Sequence, residues 1–139
     1  MAAKKPKPTG PDAATRTLVA LQRAGGVCER CRQEAVTDIH HRDPRGMGGS
    51  RNVPWINDPS NLVALGRKCH LEVEANRTFA YRDGWLVRTG VAAQLDGVTK
   101  IPVTDTSGLS WVLVSDGTKH RFTMADYDPR VSDMLRSEA

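Results

Sequence analysis

Apolar positions along this chain come in short bursts, and each burst ends at a turn signal. After a basic stretch over residues 1–11, Asp12 can cap a helix running to about Arg23. Leu18, Val19 and Leu21 would face its interior, and Gly25-Gly26 would end it. A short strand is expected near Ala35–His40. Residues 42–60 are rich in proline and glycine and lack periodicity, so they read as a long loop, a feature that is usually functional or disordered. Asn61-Leu-Val-Ala-Leu-Gly66 reads as a short buried strand. Residues 68–82 are helical in character, with Leu71, Val73, Ala75, Phe79 and Ala80 as apolar positions and Asp83-Gly84 as the stop. Trp85-Leu86-Val87 begins the return. Residues 101–104 and 109–115 read as strands, and Asp116-Gly117 is a hairpin signal before Thr118–Phe122. The end of the chain is weakly patterned. The sum is an α+β fold: a domain over residues 12–90 that holds an N-terminal helix, a candidate zinc knuckle at Cys28-x-x-Cys31 and a small ββα core, then a β-hairpin extension over 91–125, with tails at 1–11 and 126–139.

A length of 139 residues suits one domain, and 39% hydrophobic residues allow only a modest core, which a metal staple would help. The net charge of +4 permits nucleic-acid binding without proving it. Lys4, Lys5 and Lys7 make the first residues a basic tail. Three cysteines, Cys28, Cys31 and Cys69, are an odd count that argues against a disulfide framework, and two of them form a C-x-x-C. No apolar run reaches the roughly 18 residues of a membrane span. The basic N-terminus has no apolar segment behind it, so a reducing cytoplasm is the expected compartment.

Four features carry chemistry. His40 and His41 are adjacent at the end of a predicted strand, Asn61 precedes the next strand, His70 opens the following helix, and Glu74 lies four residues on, on the same helical face. Strand, loop, strand and helix would bring two imidazoles and a carboxylate to one point. Phosphodiester hydrolysis wants such a set. Histidine titrates near neutral pH and can take a proton from water, while a divalent cation neutralises charge on the phosphoryl oxygens. Adjacent strand residues face opposite sides, so one of His40 and His41 should bind metal and the other hold the water. Geometry does not say which does which. His120, among Lys119 and Arg121, reads as an ordinary surface residue, and Trp55, Trp85 and Trp111 read as core or loop anchors.

The run His40-His41-Arg42-Asp43-Pro44-Arg45-Gly46-Met47-Gly48-Gly49, followed by Asn61-Leu62 and Cys69-His70, resembles the HNH (ββα-metal) endonuclease family. The wording is closest to the small HNH proteins of actinobacterial phages. The resemblance covers about residues 25–90 and, weakly, the Trp111 hairpin. It implies a nuclease acting on double-stranded DNA, in a host-cell cytoplasm if phage-encoded, with one divalent ion (Mg, Mn, Ni or Zn) and work near genome packaging alongside a terminase. It also implies roles: His40 and His70 as metal ligands, His41 as general base, and Asn61 as the tie that holds His41. Glu74 stands where relatives place a third ligand, often another histidine, and Asn76 or a water could replace it. A structural zinc would take Cys28, Cys31 and Cys69. Relatives commonly carry two C-x-x-C pairs, whereas here Gly66 stands where the fourth cysteine is expected, so either a water, a nearby side chain or a neighbouring chain supplies the fourth ligand or the site has decayed. Arg42, Arg45, Arg51, Arg67 and Lys68 flank the site as candidate phosphate contacts. The rival reading is a non-catalytic zinc-containing DNA-binding module, and a further rival is a Cys/His scaffold for other proteins.

Overall fold

The computed structural model describes residues 10–44 and 53–136. Arg45, Arg51 and the Gly46–Gly49 stretch lie outside the described residues, as does the basic tail to residue 9. The fold is a small α+β arrangement with two small antiparallel sheets and short helices.

The first helix begins where its cap predicts. Asp12 accepts from the Thr15 amide at 2.7 Å, and α1 (Ala13–Thr17) follows. It runs on as a π-helical segment, Leu18–Arg23, in which Ala24 N reaches Val19 O at 3.0 Å. The wider π register changes which side chains face inward. Val19 is buried, but Leu21, expected inside, is 60% exposed, and the buried residue on the last turn is Arg23.

Strand β1 (Asp38–His41) pairs antiparallel with β2 (Leu62–Leu65), with His40 opposite Val63 and His41 opposite Leu62. The strand starts later than Ala35. Ala35 instead bridges Val27 and closes the turn that carries Cys28 and Cys31, in which the Cys28 amide donates to Glu34 O at 2.8 Å. All four residues of β2 are buried. Val63 and Leu65 pack with Cys28, Cys69, Val73, Trp85 and Leu113, while Leu62 and Ala64 pack on Val19 from the other side. That two-sided burial explains the unbroken apolar run in the sequence.

The single helix expected over 68–82 is two helices, α2 (Arg67–Ala75) and α3 (Arg77–Arg82), broken at Asn76 with φ −118° and ψ 67°. Its expected apolar stripe holds only in part. Val73 and Ala80 are buried, whereas Leu71 and Phe79 are 61% and 53% exposed. Gly84 follows at φ +81°, and a Cβ there would sit 1.9 Å from Pro102 O, so only glycine lets these two backbone segments meet.

The second half contains a helix that the pattern did not announce, α4 (Thr89–Gln94). Its Val91 and Ala92 cluster with Val87, Leu95, Val98 and Ile101. Strands β3 (Val103–Thr104), β4 (Ser110–Leu113) and β5 (Lys119–Arg121) form a meander, with the expected hairpin at Asp116-Gly117. The weakly patterned end is ordered as α5 (Pro129–Arg136), and Val131 buries itself in the α4 cluster. Among the described residues no helix is long and apolar enough to cross a membrane.

Candidate functional site

The β1–β2 hairpin and α2 bring three donors together. His40 comes from β1, and His70 and Glu74 come from successive turns of α2. Their ligand atoms all lie within 4.8 Å of one another. Glu74 Oε1 is 3.6 Å from His40 Nδ1 and 3.8 Å from His70 Nε2. A tetrahedral ion with bonds of about 2.1 Å needs donors about 3.4 Å apart, so the two carboxylate–imidazole edges are nearly at ligand spacing.

The tautomers fit as well. His40 Nε2 donates to the Trp85 carbonyl at 2.8 Å, which leaves Nδ1 as the acceptor facing Glu74. His70 Nδ1 donates to Asp38 Oδ2 at 2.8 Å, which leaves Nε2 facing the same point. A carboxylate behind a ligating imidazole is the usual way to fix its ring and raise its basicity. Asp38 is itself held by Arg67 through two bonds of 2.9 and 3.0 Å. The Arg67 guanidinium, working against slight burial and helped by His70, holds the Asp38 carboxyl down at about 2. Burial pushes the His40 imidazole down to about 4, so that it is neutral and able to ligate at ordinary pH. Two nitrogens and a carboxylate oxygen suit Zn, Mn, Ni or Co.

His41 leaves β1 on the opposite face from His40. Its Nε2 lies 2.9 Å from Asn57 Oδ1. That oxygen can only accept, so the ring proton sits on Nε2 and Nδ1 is the basic nitrogen. Asn61 is fully buried and ties the intervening loop at both ends. Its Oδ1 accepts from the Asp43 amide at 2.8 Å, and its Nδ2 donates to Asp43 O at 3.1 Å and Ile56 O at 2.9 Å. It therefore acts one step removed from His41, on the backbone after it, while Asn57 touches the ring.

A second group lies behind α2. Cys28, Cys31 and Cys69 place their sulfurs within 4.8 Å of one another, and none is in a disulfide. Arg30 donates to Cys69 Sγ at 3.3 Å and the Glu34 amide to Cys31 Sγ at 3.4 Å. Burial pushes the Cys69 thiol up to about 12. Both groups could hold a metal ion.

The cationic residues expected to meet phosphate divide. Arg42 is completely buried, and its guanidinium donates to the carbonyls of Gly84 (2.8 Å), Ser60 (2.9 Å), Val98 (3.4 Å) and Ile101. Phosphate cannot reach it, which corrects that expectation. Burial pushes its pKa down to about 9, and it joins β1 to the chain after α3 as a charged internal strut. Arg67 is exposed but engaged with Asp38, and Lys68 is exposed. His120 pairs with Asp126 at 3.2 Å at the surface.

Two site residues escaped the sequence. Asp38 sits two residues before His40 on the same face of β1, so the strand period could have found it. Asn57 lies in an aperiodic loop, and nothing local marks it. No family model, curated protein or solved structure matches this chain.

Proposed function

We propose that this chain is a metal-dependent HNH endonuclease that hydrolyses DNA phosphodiester bonds, with a ββα-metal core made of β1, β2 and α2. The observation that carries the reading is the pairing of two unlike histidines on neighbouring strand positions. His40 joins His70 and Glu74 with ligand atoms within 4.8 Å of one another, and His41 is set apart on the other face with its tautomer fixed by Asn57. A structural module has a use for the first arrangement and none for the second.

In this reading His40 Nδ1, His70 Nε2 and Glu74 would hold one divalent cation, which would supply positive charge against the phosphoryl and leaving oxygens. His41 Nδ1 takes the proton from the attacking water, and Asn57 stabilises the imidazolium that results. Asp38 and the Trp85 carbonyl keep the two ligating rings in the required tautomers. Asn61 fixes the backbone that follows His41. The three cysteines would hold a structural zinc away from the chemistry. Lys68, Arg45 and Arg51 serve to dock the DNA backbone, and the phage resemblance points to work in the host cytoplasm beside a packaging terminase.

The test is plasmid cleavage by the metal-stripped protein and its His41→Ala variant, with Mg, Mn, Ni or Zn restored singly. Conversion of supercoiled plasmid by the parent alone, and only with metal, is expected. Cleavage that survives in His41→Ala refutes the role given to His41. Gel shifts by both proteins without any cutting would favour the non-catalytic DNA-binding module.

A further inference from the structure

The sulfur cluster has three thiolates where a closed structural zinc site has four ligands. Three acidic residues lie in its neighbourhood, and two are committed elsewhere. Glu29 accepts from Arg23 at 2.9 and 2.8 Å and from the Ala64 amide at 2.9 Å. Glu72 is paired with Arg30 at 2.6 Å. Glu34 is different. Its Oε1 lies 3.8 Å from Cys31 Sγ, and among the described residues it makes no ion pair. For bonds of about 2.3 Å to sulfur and 2.1 Å to oxygen, tetrahedral geometry sets the sulfur–oxygen edge at about 3.6 Å.

The position of Glu34 also explains Gly66. The backbone there is at φ −73°, which any residue adopts, so conformation does not require glycine. Space does. A Cβ on Gly66 would lie 2.7 Å from Glu34 Cβ, 2.9 Å from its Cδ and 3.0 Å from its Oε2. Gly66 is three residues before Cys69, at the N-cap of α2, where a side chain would meet Glu34. The Glu34 side chain fills that volume instead.

We infer that Glu34 is the fourth ligand of a Cys28/Cys31/Cys69/Glu34 zinc site, its side chain occupying the room a residue-66 side chain would take. The inference rests on the structural-zinc part of the function proposed above. The Glu34 carboxylate is not among the donors that lie within 4.8 Å of one another, so metal entry asks it to swing from Cys31 toward the other two sulfurs, while the Arg30 and Glu34 N–H groups already donate to the Cys69 and Cys31 sulfurs. Carboxylate oxygen is an accepted zinc donor, though harder than sulfur, so the site should bind zinc less tightly than a four-thiolate one.

The test is competitive zinc titration and cobalt(II) spectroscopy on the full chain. Thiolate-to-cobalt charge-transfer absorption reports this site alone, because the histidine centre contains no sulfur. Glu34→Gln keeps the shape and removes the anionic donor. It should lower zinc affinity by more than the roughly 10–100-fold that loss of an outer-shell partner costs, with the ligand-field bands of the cobalt form shifted. The exchange Glu34→Gly with Gly66→Cys removes the clash and supplies a fourth thiolate, and should bind zinc at least as tightly as the parent. Gly66→Cys alone should destabilise the fold. Unchanged affinity and unshifted bands in Glu34→Gln would overturn the assignment. So would an exchange variant that binds no better than Glu34→Gly by itself. A parent that takes up neither zinc nor cobalt at the thiolates would instead overturn the structural-zinc reading.

Discussion

Asn61 and Asn57 both serve His41, but by routes that should separate cleanly on mutation. Asn61 has no solvent exposure and makes three side-chain hydrogen bonds, of 2.8, 3.1 and 2.9 Å, to the backbone on either side of the loop. Replacement by alanine removes three bonds of about 1 kcal/mol each and leaves one amide and two carbonyls without their partner. Some of these will find water in the space vacated, so the expected loss is about 3 kcal/mol. For a domain of this size that is a fall in Tm of roughly 10 °C. Asn57 is only half-buried and holds the imidazole, so Asn57→Ala should cost about 1 kcal/mol. Its effect should appear in turnover, as a kcat lowered by up to about 100-fold with DNA affinity retained, because a mispositioned base still leaves the docking surface intact. Urea unfolding followed by tryptophan fluorescence, alongside single-turnover cleavage, separates the two. An Asn61→Ala variant within about 0.5 kcal/mol of the parent would refute the view that this residue anchors the loop. An Asn57→Ala variant with parental kcat would refute the orientation argument for His41.

The buried Arg23–Glu29 pair joins the first helix to β2, and Glu29 also accepts from the Ala64 amide. Glu29→Ala should cost about 3–5 kcal/mol, because it leaves an unpaired buried guanidinium, and chemical denaturation will show it. Asp38→Asn should weaken metal binding at the histidine centre by roughly 10–100-fold while thermal stability changes little; calorimetric titration that matches the parent would contradict the outer-shell role. For Asp105, burial raises the carboxyl, but bonds from Ser107, Trp111 and the Leu109 amide outweigh it and hold the group below its ordinary 3.8. A carboxyl depressed in the folded state stabilises above the unfolded value and loses that contribution as pH falls through the folded one. Asp105→Asn should therefore be less stable than the parent at neutral pH, and the gap should close below about pH 3.8, as read from acid unfolding curves.

Much of this protein could be read in one dimension because it depends on local pattern. The capped first helix, the buried Leu62–Leu65 strand and the Asp116-Gly117 hairpin each follow from residues adjacent in sequence. Likewise, the adjacency of His40 and His41, and the four-residue step from His70 to Glu74, decide by spacing alone which side chains can share a face. The strand period even held the clue to Asp38. What needed three dimensions was every choice made between distant segments. Arg42 looks like a phosphate contact until four carbonyls from 60 to 101 close around it, and no local rule assigns a guanidinium to backbone so far along the chain. Leu21 turns outward because a π turn lets Arg23 reach Glu29, and the helix after His70 breaks at Asn76 although its propensity runs on. Asn57 finds His41 across an aperiodic loop. Gly66 and Glu34 are 32 positions apart in the sequence, and only the 2.7 Å at which a Cβ on Gly66 would meet Glu34 Cβ shows that the missing side chain of one is the space taken by the other. Periodicity reports which face a residue presents. Packing density decides what meets it there, because an interior volume can be filled only once.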